Sequence, residues 1–155
     1  MRSDRLTTEW TKTAEEAFGA TGARGSIGEQ FVAGVIASWG WEVELHEEDY
    51  TKQVSGIDIT FRNPSWAYSY TADVKTNIRD GGDFFVDTSS DGWLFKSGKT
   101  SDRIWHCNPE TGWMAYYGRF EMQKFILSLG KQNTGLYKIG KYDKIDFIKR
   151  RKGKV

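Results

Sequence analysis

The chain has 155 residues, enough for one domain with a real core, and its 28% charged and 15% aromatic residues mark it as globular rather than disordered. A formal net charge of +1 excludes a uniformly basic surface, so any nucleic-acid-binding face has to come from local clustering. The single cysteine, Cys107, excludes an internal disulfide framework and a cysteine-built zinc site, and with no signal peptide and no membrane-length apolar run the expectation is a cytoplasmic protein with no membrane partner.

Thr7 to Phe18 is weakly amphipathic and predicts an N-terminal helix over residues 7–18; "GATGARG" then reads as a break. "SIGEQFVAGVIASWG" is the strongest helix signal. Ser26 stands where it can cap, Glu29 takes the capping-box position, and Ile27, Phe31, Val32, Val35, Ile36 and Trp39 form an apolar stripe that Gly40 ends. "WEVELHEED" predicts a strand running out to the surface. "GIDITF" alternates, with Ile57, Ile59 and Phe61 on one face and Asp58 and Thr60 on the other. After the "NPS" turn, "YTADVKTN" puts Tyr70, Ala72 and Val74 on one face and Asp73, Lys75 and Asn77 on the opposite one. "DFFVDTS" is a further strand or an irregular segment. "DRIWHCNPETGWMAYYG" predicts a hairpin turning at "PETG", and "RFEMQKFILSLG" a helix closed by Gly130. "GLYKI" and "DKIDFIKR" suggest a last strand and a tail, ending in the basic run 149–155. With no repeat or linker, residues 1–155 read as a single α/β domain, a mixed sheet with helices packed on it.

Aspartate is disfavoured in strands, and a charge seldom faces a core without a partner. Asp58 and Asp73 meet on one side of the sheet if their strands pair as a hairpin. Two carboxylates held together repel unless a cation joins them. Mg²⁺ suits such a pair because it takes oxygen ligands and keeps water positions open for phosphate oxygens. The Val74 carbonyl can add a ligand. Glu29 lies at the edge of the apolar stripe, from which it can reach the rim of the core. Lys75 would stand beside the acids, placed to orient an attacking water or to stabilise charge on phosphorus. Each residue also has an ordinary use. Glu29 can be a surface capping acid, Asp58 can cap a turn after Gly56, and Asp73 with Lys75 can be an exposed ion pair. Their order on matching elements favours the chemical reading.

This arrangement resembles the PD-(D/E)XK nuclease superfamily, whose pattern is a helix glutamate, an aspartate opening a hairpin, and acid-x-Lys on the next strand. "GEQF" supplies Glu29, "SGIDI" Asp58, and "ADVK" Asp73 and Lys75. Gly56-Ile57 precedes Asp58 where the family name has proline, and Asp stands before x-Lys where Glu is commoner. The resemblance covers a core over about residues 24–130. It implies a restriction-endonuclease-like mixed β-sheet flanked by helices and a Mg²⁺-dependent DNA endonuclease, with Mn²⁺ able to substitute, from a bacterial or phage-infected cell. Glu29, Asp58, Asp73 and the Val74 carbonyl would hold the metal, with Lys75 assisting the water. A domain this small implies a homodimer to cut both strands. Small phage and homing endonucleases and archaeal Holliday-junction resolvases are similar, so branched DNA is an alternative target. A non-catalytic DNA- or RNA-binding module is the alternative outside enzymology.

"FKSGKTSD" lacks the glycine that a phosphate loop needs, since Trp93 stands at that place. It reads as a basic loop from which Lys96, Lys99 and Arg103 can contact DNA phosphates, with Lys149, Arg150 and Arg151 adding contacts from the tail. His106 and Cys107 read as sheet-face and small apolar residues. Trp93, Trp105 and Trp113 read as core, with stacking on bases as the alternative.

Overall fold

The computed structural model describes residues 20–153, with side chains described from 26 onward. The helix predicted over residues 7–18 lies outside them. The described chain is a single mixed α/β domain. Helix α1 (Ala20–Ser38) leads into β1 (Glu42–Leu45), a short α2 (Tyr50–Val54), β2 (Ile59–Arg62) and β3 (Tyr70–Lys75). Strand β4 (Phe84–Asp87), the hairpin strands β5 (Arg103–Cys107) and β6 (Trp113–Gly118), α3 (Arg119–Ser128), β7 (Leu136–Ile139) and β8 (Lys149–Lys152) follow. Among these residues no helix is long and apolar enough to cross a membrane.

Six strands form one sheet in the order β1-β2-β3-β5-β6-β8, while β4 and β7 pair in a separate antiparallel ribbon. Among the described strands only β3 and β5 pair in parallel. Period-two alternation divides the sheet into two faces. On one face Val32 and Ile36 of α1 pack on Ile59, Phe61, Ala72, Val74, Trp105 and Cys107. On the other, Met122 and Ile126 of α3 pack with Ile104, Tyr117, Phe84 and Val86, so α3 and the β4–β7 ribbon form the third layer.

Several expectations are corrected. Helix α1 begins at Ala20, so "ATGARG" lies inside it and Ser26 caps nothing; its hydroxyl instead donates to Glu47 Oε2 at 2.6 Å. Ile27, placed in the apolar stripe, is half exposed. Helix length here follows tertiary packing, which outweighs local breakers. The "HEED" end of the predicted first strand turns instead into α2, where the Asp49 side chain accepts from the Lys52 N–H. The basic tail is the edge strand β8, with Tyr116 opposite Lys149 and Trp113 opposite Lys152.

Gly28 sets the distance between α1 and β3. A Cβ there would sit 2.1 Å from Thr76 Oγ1 and 3.2 Å from Cys107 Sγ, whereas one on Gly34 would meet nothing within 4 Å. Gly28→Ala is therefore expected to lower stability by about 1–3 kcal/mol by overpacking. Gly34→Ala, in the same helix, is expected to raise it by up to about 1 kcal/mol. Urea denaturation of the two variants checks both signs.

Candidate active site

The β2–β3 register sets Ile59 opposite Ala72 and Thr60 opposite Thr71. The regular pairing ends there: the Asp58 N–H donates to the Ala72 carbonyl at 2.8 Å, one residue off the register that would set Asp58 opposite Asp73. Ala72 and Val74 face α1, so Asp73 faces the α3 layer, and Asp58 lies near enough for its charge to act on Asp73. Asp58 is 7% exposed and Asp73 3%. One Asp58 oxygen, Oδ2, accepts the Val74 N–H at 2.8 Å. Lys75 shares the face, and its Nζ lies 3.2 Å from Asp73 Oδ1.

The electrostatics of Asp73 follow from this packing. Burial pushes its carboxyl up; the Lys75 ammonium draws it back, and the charge on Asp58 pushes it up again, leaving it at about 6 against an ordinary 3.8. Burial of Asp73 beside the Asp58 charge works against its ionised form even with Lys75 and Arg119 near. Such a site favours either a proton or a cation.

Three further groups frame the pair. Gly56 has φ 75°, and a Cβ on it would stand 3.1 Å from the Lys99 stem and 3.4 Å from Asp73 Oδ2, so the loop passes close over the carboxylate only as glycine. Arg119 is buried at the start of α3. It donates to the carbonyls of Ser101 (2.8 Å), Leu94 (3.0 Å) and Trp93, and to Ser101 Oγ (2.6 Å), and its charge draws the Asp73 carboxyl down. Trp93 lies beneath Lys75, whose Nζ is 5.2 Å from the ring centroid. Beside Lys75 on β5, His106 is clamped by Asn77 Oδ1 and Tyr117 OH, both at 2.6 Å; burial holds it well below its ordinary pKa and so neutral. Cys107 is buried, with its thiol pushed up to about 12, and is no nucleophile.

Glu29 is fully buried on α1, and its charge is felt by the Cys107 thiol, on the face that packs against α1. Among the described residues no three His, Cys, Asp or Glu side chains are gathered into a set able to hold a metal ion. The structure thus brings Asp58, Asp73 and Lys75 together and puts Glu29 on the α1 side.

The six basic residues expected on DNA also divide. Lys99 donates from Nζ to the Val54 carbonyl at 3.0 Å beside Gly56 and so belongs to the Asp73 side, while Lys96 is exposed in the same loop. Arg103 stands in register with Ala72 and Arg151 with Met114, which sets them and Lys149 on the α1 face. Arg150 turns the other way, donating to the Gly140 carbonyl at 2.8 Å with its guanidinium 5.6 Å from the Phe84 ring. A cleft of about 710 Å³ adjoins the site through Asn77 and Trp93, but Asp58, Asp73 and Lys75 do not line it. Arg119 is the residue at the site that pattern reading missed. A buried guanidinium satisfied by loop carbonyls leaves no periodic signal.

No protein-family model, curated protein or solved structure matches the chain.

Proposed function

We propose that the protein is a Mg²⁺-dependent DNA endonuclease of the restriction-endonuclease-like fold. The observation that supports this reading most is the neighbouring pair Asp58 and Asp73, both buried, with Lys75 Nζ 3.2 Å from Asp73. A mere ion pair would need only one of the two acids.

The donor set fits a hard divalent cation. Mg²⁺ is commonly held by one or two carboxylates together with waters and substrate phosphate oxygens, so a third acid is not required. Asp58 and Asp73 would hold it, with the Val74 carbonyl beside them; Glu29, the third acid of the resemblance, shares no ligand set with the pair in this structure. When bound, the ion supplies charge neutralisation at the phosphoryl oxygens and a more acidic water. The chain's own groups do the rest. Lys75 presents a cation on the same face and can hold the attacking water by hydrogen bonds or stabilise charge building on phosphorus. Trp93 covers one side of that ammonium. Arg119 ties the loop carrying Trp93 and Lys99 to the start of α3, and Lys96 and Lys99 are placed to take phosphates on the rim. One site cuts one strand, so double-strand cleavage calls for a homodimer.

The test is incubation with supercoiled plasmid, four-way junction and single-stranded DNA in Mg²⁺, Mn²⁺, Ca²⁺ or EDTA. Cutting is expected with Mg²⁺ and Mn²⁺, and binding without cutting in Ca²⁺, which prefers larger and looser coordination. Equal cutting in EDTA would overturn the reading, and the preferred substrate identifies the target.

A further inference from the structure

On the face of the sheet opposite Asp73, α1 leaves a cleft of about 740 Å³ whose floor and walls are aromatic. Trp105 forms the floor, 1% exposed and stacked on Tyr116 with centroids 4.0 Å apart and planes at 14°. Trp41, Trp66 and Tyr70 form a half-buried wall, joined edge to face at 4.7 and 5.2 Å. Among the described residues the buried Trp105 indole N–H has no hydrogen-bond partner, although buried tryptophans ordinarily find one.

Cations line this cleft. The Arg103 guanidinium lies 4.7 Å from the Tyr70 ring centroid. Arg151 lies 4.6 Å from the Trp39 ring, and its Nε donates to Tyr116 OH at 2.8 Å. Lys149 is exposed beside it on the edge strand β8. Glu121 and Asp146 also line the cleft, and the three cations outnumber them. Guanidiniums held over aromatic rings can keep N–H groups for an anion.

We infer that this cleft binds single-stranded nucleic acid, with unpaired bases stacking on the exposed parts of Trp41, Trp66 and Tyr70 and phosphates meeting Arg103, Lys149 and Arg151. Aromatic walls reward flat faces, and cations reward a repeating anion; an unpaired strand offers both along its length. A duplex offers phosphates but hides the base faces. A neutral sugar can use the rings but gains nothing from three cations. The assignment stands apart from hydrolysis, since Asp73 and Lys75 face the other side of the sheet.

The experiment is done in EDTA with the full chain. Fluorescein-labelled oligothymidylate of about 15 nucleotides is titrated, following anisotropy and tryptophan emission, against a duplex of the same length and a neutral oligosaccharide. Tryptophan emission is expected to be quenched, and the single strand to bind at least about tenfold tighter than the duplex. Trp66→Ala is expected to weaken binding about 5- to 100-fold. Arg103→Gln and Arg151→Gln, each checked for parental circular dichroism and melting temperature, should each flatten the log–log salt slope by about 0.7. Duplex binding as tight as single-strand binding, an unchanged salt slope in both arginine variants, or tighter binding of the oligosaccharide would overturn the assignment.

Discussion

Lys75→Ala is expected to slow single-turnover DNA cleavage by about two orders of magnitude or more while leaving DNA affinity within a few-fold of the parent. Lys75 stands on the face of Asp73, with its side chain 28% exposed and its ammonium between Asp73 and the Trp93 ring. A group so placed acts on charge that develops in the transition state, which alters rate more than ground-state binding. The alternative is a lysine that only neutralises Asp73. Its loss would then be absorbed by protonation of Asp73, whose carboxyl Lys75 normally draws down, and turnover would stay within a few-fold. Single-turnover rates at saturating enzyme and Mg²⁺ separate the two.

Asp73→Asn is expected to abolish cutting and, at pH 8, to make the protein more stable by an amount on the order of 3 kcal/mol. The fold raises the Asp73 carboxyl from 3.8 to about 6, chiefly by burying it. Between those two pH values the folded chain holds a proton that the unfolded chain has lost. Stability from this group is therefore present at low pH, falls as pH rises from about 4 to about 6, and stays reduced above. Asparagine removes that loss, so the variant and parent should converge near pH 3.5 and diverge by pH 8. Added Mg²⁺ should raise the melting temperature of the parent at pH 8 and not that of the variant, because a ligand of the folded state stabilises by mass action. A structural ion pair would give the opposite sign, with Asp73→Asn destabilising at pH 8. Thermal melts across pH, with and without Mg²⁺, decide it.

That Asp58 and Asp73 come near each other was legible from hairpin pairing of β2 with β3, but the slip in pairing at Asp58, whose N–H goes to the Ala72 carbonyl, was not. The β5–β6 hairpin and α3 were legible because their turn chemistry and helical spacing agree with their packing. Burial of Glu29 was not legible: azimuth on a helix says which side of the helix a residue takes, not which face of the sheet the helix lies on, and α1 packs on the face of Ala72 and Val74. The start of α1 was hidden because close contact of Gly28 with Thr76 and burial of Val32 and Ile36 hold the helix through residues that discourage one locally. Strand β8 was hidden because "KRRK" carries no apolar alternation; an edge strand tolerates charge, and its partner β6 is distant in sequence. The aromatic cleft combines residues of β2, β3, β5, β6, α3 and β8 with Trp39, Trp41 and Trp66 from the connections, a combination that only the sheet order reveals.

Mn²⁺ binding in the absence of DNA, followed by loss of the free-ion electron paramagnetic resonance signal at pH 8, tests the Asp58–Asp73 pair most directly. The parent and Lys75→Ala are expected to bind Mn²⁺ with similar stoichiometry, and Asp58→Asn and Asp73→Asn to lose that binding. Equal Mn²⁺ binding by the parent and both asparagine variants, or none by the parent, would contradict a cation site built on these two carboxylates.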